Sequence, residues 1–142
     1  MQVEGYELPS IPRLPENQRI ERAETFFKRL GADVREDGSR AFYDKKEDYI
    51  QMPPFSAFKQ AEFRYSVLAH EITHWTGAAH RLNRDLASRF QKEAYAAEEL
   101  IAELGSAFIS AELDLEMEPR RDHAPYINSL CAATHKLIYV LF

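Results

Sequence analysis

The tightest constraint on this chain is the spacing of two histidines and a glutamate in His70-Glu71-Ile72-Thr73-His74. On an α-helix, positions i and i+4 stand one above the other on the same face. Both imidazoles can then reach one cation from a single rigid element. Glu71 lies at the edge of that face, close to the cation without ligating it. The flanking residues support a helix over Lys59 to Trp75. Phe63, Val67, His70 and His74 form one stripe, and Leu68, Ile72 and Trp75 form its neighbour. Histidines among apolar positions are costly to bury without partners, which favours metal ligation over an ordinary polar face. Gly77 follows where a helix-ending glycine is expected.

Two imidazoles are too few for a stable site, because a catalytic zinc usually takes three protein ligands and a water. The candidates are Glu98, Glu99 and Glu103, with His80, Asp85, His123 and His135 as others. Glu99 and Glu103 are again i and i+4. That spacing suits Glu99 as the third ligand, with Glu103 behind it, bonded to a ligand imidazole N–H. Ala96, Ser106, Ala107 and Ser110 are small enough to let two helices approach closely. Glu98 lies about 100° from Glu99 around the helix and requires a different rotation. A solvated acidic face is the ordinary role for all three. His80 competes, since Gly77 and His80 stand where the pattern H-E-x-x-H-x-x-G-x-x-H places its glycine and third histidine. That longer pattern also asks for a later methionine turn, which Glu116-Met117-Glu118 does not resemble. Zn²⁺ is the expected ion, although two imidazoles and a carboxylate also suit iron or manganese.

A chain of 142 residues predicts one domain with a proper core. A net charge of −5 gives no electrostatic footprint for autonomous nucleic-acid binding. Arg81, Arg84 and Arg89 read as a solvated face. No apolar run approaches a membrane span. The lone Cys131 cannot form an intramolecular disulfide and fits a reducing, cytoplasmic location. Residues 1–15, with Pro9, Pro12 and Pro15, read as an extended arm or linker, and residues 16–142 as the domain.

Within the domain, Glu16 to Leu30 is a helix with Ile20, Phe26, Phe27 and Leu30 as core, ended by Gly31. Three extended stretches follow: Ala32 to Glu36, Arg40 to Tyr43 and Asp48 to Met52. Asp37-Gly38 is a hairpin turn between the first two, and Pro53-Pro54 closes the sheet. Glu93 to Leu113 is a long helix whose apolar face is Ala97, Leu100, Ile101, Leu104, Phe108 and Ala111. His123 to Leu141 is a terminal helix. The order is that of an α+β domain.

Several stretches in this order resemble the zincin-like metallopeptidase domain of ArdC-type antirestriction proteins and TraC-like plasmid primases. They are Arg40-Ala41-Phe42-Tyr43, Asp48 to Pro54, His70 to Gly77, His80-Arg81-Leu82-Asn83-Arg84-Asp85, and Tyr95 to Leu104. The resemblance implies a small sheet packed on a metal helix and a second, ligand-bearing helix. It favours zinc on His70, His74 and Glu99, with Glu103 behind. Glu71 is then the general base on a zinc-activated water that hydrolyses a peptide bond. No residue is assigned to assist at the oxyanion; chemistry alone, not the resemblance, admits His123 and Tyr126. The strand Asp48 to Met52 is expected to line the cleft and pair with an extended peptide. Arg81 and Arg84 are expected to pair with Asp85 or hold their turn.

The expected partner is a protein or peptide substrate, and no membrane. Nucleic acid is expected only through the N-terminal single-strand-binding domain that larger members carry and this chain lacks. The end departs from the family pattern: Leu130 to Phe142 is apolar, and packs on the domain or meets a partner. An alternative function retains fold and metal in an interaction module that protects incoming DNA by binding a partner without cutting it.

Overall fold

In a computed structural model of the chain, residues 15–84 and 92–115 are described. Helix α1 spans Glu16–Leu30. Strands β1 (Asp33–Glu36), β2 (Phe42–Asp44) and β3 (Tyr49–Met52) follow, then a 3₁₀ turn at Phe55–Ala57. Helix α2 spans Ala61–Thr76 and α3 spans Lys92–Glu112. This is the expected α+β arrangement. Gly31 stops α1 in the left-handed region at φ 70°, where its N–H takes the Lys28 carbonyl. Ala23 and Phe27 are buried, and Phe27 stacks on Tyr65 of α2 with ring centres 5.8 Å apart. Leu30, expected in the core, is 36% exposed. The arm before Pro15, the terminal helix from His123, Asp85, His123, Tyr126, His135, Cys131 and the apolar tail all lie outside the described residues.

The sheet order is β1-β3-β2. β1 runs parallel to β3 (Val34 opposite Ile50), and β2 runs antiparallel to it (Tyr43 opposite Ile50). Two expectations fall here. Asp37-Gly38 does not turn β1 into β2, because the Asp37 N–H donates to the Met52 carbonyl and carries the β1–β3 pairing onward. The hairpin lies instead between β2 and β3. There the Asp44 carboxylate accepts from the N–H groups of Lys46 and Glu47, and Asp48 adopts φ 58°. Consequently Asp48 to Met52 is no edge strand. β3 is central, with Ile50 and Met52 fully buried, and β2 is the edge beside α2.

Helix α2 lies between the sheet and α3, and Tyr65, Leu68, Ala69 and Ile72 join Ile50, Met52, Leu113 and Leu115 in the core. Gly77 follows α2 with φ −75°, a conformation open to any residue, so its left-handed freedom is not used. The apolar face expected for α3 points the wrong way. Ile101, Leu104 and Phe108 are 40%, 51% and 73% exposed, while Glu98, Ala102, Ser106 and Ser110 are buried. Close approach to α2 selects that face. A Cβ built on Gly105 falls 2.5 Å from Thr73 Oγ1, and Ser106 Oγ donates to the Ser66 carbonyl at 2.9 Å. Leucines on this face would hold the two helices apart. No helix among the described residues is long and apolar enough to cross a membrane.

Candidate metal centre

His70 and His74 sit one turn apart on the α3-facing side of α2, with ring centres 4.8 Å apart. Their Nε2 atoms converge to 3.1 Å. Glu99 closes the group from α3, its two oxygens 3.6 Å from His70 Nε2 and 3.3 Å from His74 Nε2. Ligand atoms arranged tetrahedrally at zinc bond lengths stand about 3.3 Å from one another. One ligand atom from each of the three side chains lies within 4.8 Å of the others, and among the described residues they form the one group of His, Cys, Asp and Glu suited to a metal.

The outer nitrogens are held as well. His70 Nδ1 lies 3.3 Å from Glu103 Oε1, and His74 Nδ1 lies 3.2 Å from Glu98 Oε1. A carboxylate at Nδ1 keeps the proton there, leaves the Nε2 lone pair facing inward and fixes the ring. Glu103, one turn after Glu99 on α3, lies at the outer nitrogen of His70. Glu98 was expected on a different rotation of the helix or in solvent. It is 6% exposed and serves His74 in the way Glu103 serves His70. Glu98 and Glu103 flank Glu99 at about 100° and 40° around the α3 axis, so one ligand and both ring-holding carboxylates fit on one broad face.

Arg84 holds Glu98 in place. Its Nε and Nη2 meet the two carboxylate oxygens at 3.0 and 2.9 Å, Nη2 also reaches the Thr73 carbonyl, and Nη1 reaches Thr76 Oγ1. Arg84 is thus a half-buried part of the site, not a solvated charge. Arg81 likewise turns inward, to Asp48. His80, the competing third ligand, has a 63% exposed side chain 3.2 Å from Asp48 and does not join the His70, His74 and Glu99 group.

The electrostatics follow from packing carboxylates around imidazoles. Burial alone would depress His70, but Glu103 and Glu99 beside it raise its pKa to about 10. His74 is also raised, burial being outweighed chiefly by Glu99. Glu99 is held well below the usual carboxylate range: its burial is overcome by hydrogen bonds from the two imidazoles. Glu71 shifts the other way, because burial raises it more than the imidazoles and a hydrogen bond from the Tyr43 backbone lower it. A buried carboxyl with a raised pKa holds a proton more firmly than a solvated one.

Two cavities meet at this point. One of about 320 Å³ runs past His74, Glu99 and Tyr95 beneath Arg40 to Tyr43. The other, about 260 Å³, is walled by Ser66, Val67, Glu103 and Ser106. Ala41, His70 and Glu71 line both. The groove is therefore bordered by β2, the strand that replaces Asp48 to Met52 at the edge. Sequence reasoning offered Glu98 only as an alternative metal ligand, not as the acceptor at His74 Nδ1, and gave Arg84 and Tyr43 no place in the site. One signal for Glu98 was available: two ligand imidazoles need two acceptors at Nδ1, and only one had been assigned.

Comparison with known proteins places the fold. The family model for zincin-like metallopeptidases matches residues 21–136. The chain belongs to that family. This zincin-like domain is 53% identical over 128 residues to the Sinorhizobium fredii protein y4eC, covering 90% of this chain and 42% of y4eC. It is 39% identical over 131 residues to the DNA primase TraC of Escherichia coli, covering 88% of this chain and 9% of that protein. Among solved structures it resembles the Mn(II)-bound crystal structure of the antirestriction protein ArdC from plasmid R388. The TM-score is 0.67 with 39% identity, covering 81% of this chain and 43% of that one. The zincin-like domain thus spans less than half the length of each of these relatives.

Proposed function

We propose that this zincin-like domain is a metal-dependent peptidase module of an antirestriction or mobile-element protein. One observation carries the reading: the Nε2 atoms of His70 and His74 converge on Glu99 while their Nδ1 atoms rest on Glu103 and Glu98. Zinc suits two imidazoles and a carboxylate. The related ArdC chain holds Mn(II) in its crystal structure, and the same donors accept that ion. A divalent cation so held supplies Lewis acidity, which polarises a carbonyl and makes water a better nucleophile.

The chain's own residues do the rest. Glu71 takes a proton from water at its carboxylate and returns it to the leaving amine nitrogen. Its burial raises its pKa, which suits a carboxylate that must accept a proton. A substrate strand aligns main chain to main chain along β2, with its side chains entering the two cavities that meet at Ala41.

Glu71→Gln tests the reading, since it keeps the shape and removes the base. Loss of peptide cleavage, and of protection of incoming DNA in cells, is expected with unchanged metal content. Protection that survives in a folded, metal-loaded Glu71→Gln protein would reject peptidase chemistry as the function. The second reading, a non-cutting interaction module, is favoured by the outward Ile101, Leu104 and Phe108. Apolar residues grouped on a surface are commonly contact surfaces.

A further inference from the structure

β2 has three residues and one neighbouring strand, yet its Phe42 and Tyr43 wall the cavity that Glu71 lines. So short an edge strand is held weakly by its own ladder. Tyr43 shows what else holds it. It lines the cavity of about 320 Å³ together with Glu71. Its phenol donates to Asp48 Oδ1 at 2.9 Å and accepts from Arg81 Nη2 at 3.3 Å. Arg81 grips Asp48 with both terminal nitrogens, Nη1 to Oδ2 at 3.1 Å and Nη2 to Oδ1. His80 Nε2 lies beside both, 2.6 Å from Arg81 Nη1 and 3.2 Å from Asp48 Oδ2.

The other end of this chain of contacts is the metal helix. Arg81 Nε donates to the Trp75 carbonyl at 2.6 Å, and the guanidinium lies 3.9 Å over the Trp75 ring. Trp75 is the residue after His74. Asp48 reaches Arg81 from a left-handed backbone at φ 58°, a conformation that Asp and Asn tolerate better than most residues. The network therefore begins where the metal helix ends and closes on the strand that walls the cavity beside Glu71.

We propose that Tyr43 is the positioning residue for Glu71, and that Asp48, Arg81 and Trp75 form a latch that registers β2 over the metal helix. The positioning role rests on the reading of Glu71 as proton acceptor; the latch itself does not. Displacing a reacting group by about 1 Å can cost on the order of 100-fold in rate. Loosening the latch should therefore lower kcat more than it changes KM.

The test uses the zinc-loaded, ¹⁵N-labelled protein and the variants Tyr43→Phe, Asp48→Asn and Arg81→Ala. Asp48→Asn keeps a residue suited to the left-handed backbone and removes only the charge, which guards against simple misfolding. Amide hydrogen exchange is followed at Tyr43, at Ile50 in β3 and at Ile72 in α2, with zinc affinity by chelator competition and kcat and KM on a peptide. In Asp48→Asn and Arg81→Ala, exchange at Tyr43 should rise about tenfold or more. Exchange at Ile50 and Ile72 and the zinc affinity should hold. Tyr43→Phe should reproduce the kcat loss.

Unchanged exchange at Tyr43 overturns the latch. So does a rise shared by all three amides with loss of zinc, which marks general destabilisation. Faster exchange at Tyr43 with an unaltered, Glu71-dependent kcat overturns the positioning role. If the unmodified protein cuts no peptide, the failure belongs to the proposed function: the positioning role falls with it, and the exchange measurement still decides the latch.

Discussion

Glu98 and Arg84 meet through two hydrogen bonds, Nε to Oε2 at 3.0 Å and Nη2 to Oε1 at 2.9 Å. The planar guanidinium matches a carboxylate in this way, adding geometric definition to charge. The Oε1 atom that Arg84 holds is also the one 3.2 Å from His74 Nδ1. An arginine in the loop after α2 thereby sets the orientation of an imidazole inside it.

Removing Glu98 should cost metal affinity without touching a candidate ligand. Glu98→Ala is expected to weaken zinc binding by about 10- to 100-fold. It should also destabilise the fold by about 1–3 kcal/mol, because Arg84 is left half-buried without its carboxylate partner, keeping only neutral acceptors at Thr73 and Thr76. Arg84→Ala should weaken zinc less. Competition with a chromophoric chelator measures both. An unaltered affinity in Glu98→Ala would remove Glu98 from the site.

Gly105 tests the close approach of the two helices. Helix propensity alone predicts that Gly105→Ala gains about 1 kcal/mol. The Cβ at 2.5 Å from Thr73 Oγ1 predicts a steric loss of about 1–3 kcal/mol that exceeds it. A net fall in Tm and weaker metal binding are expected, partly restored by Thr73→Ala. A higher Tm for Gly105→Ala would show that the helices separate freely.

The metal-free site should respond to alkali with a definite sign. His70 has an unfolded pKa of about 6.5 and a folded value raised to about 10. A raised value stabilises the fold fully below pH 6.5, and that contribution is lost as pH rises toward 10. A cation needs the neutral imidazole, so its affinity strengthens over the same interval. Calorimetry with excess chelator should show Tm falling between pH 7 and 10. Added zinc should flatten or reverse that fall. The same slope with and without chelator would count against ligation by His70.

Acid addresses Asp48. Arg81 beside it holds its carboxyl down to about 2, against the opposing effect of burial. A depressed value stabilises above the unfolded pKa of about 3.9, and the contribution fades as pH falls toward 2. The Tm gap between the unmodified protein and Asp48→Asn should therefore narrow from pH 4 to pH 2. A gap that stays constant would mean that the Asp48 charge contributes nothing.

What could be read from the chain was what local chemistry decides. Gly31 stops α1 at Leu30 because only the last turn and one left-handed residue are involved. The two-His helix was legible because 3.6-residue periodicity is local. Strand pairing was not: Asp37-Gly38 has turn chemistry, but the choice between β2 and β3 as the neighbour of β1 belongs to the whole sheet. The face of α3 was misread because apolar stripes usually turn inward. Here packing against α2 demanded Gly105 and Ser106 instead. Arg81 finds its acceptor 33 residues earlier, at Asp48, which adjacency to Asp85 could not suggest.

The three candidate ligands are divided between two helices, His70 and His74 on α2 and Glu99 on α3. A shared ion is then a reversible cross-link that closes the chain between positions 74 and 99. Because its ligands converge only in the fold, the ion adds its binding free energy to the folded state. A polypeptide severed between α2 and α3 would still migrate as one particle while the ion is in place, and would come apart into two pieces more readily once a chelator takes it away.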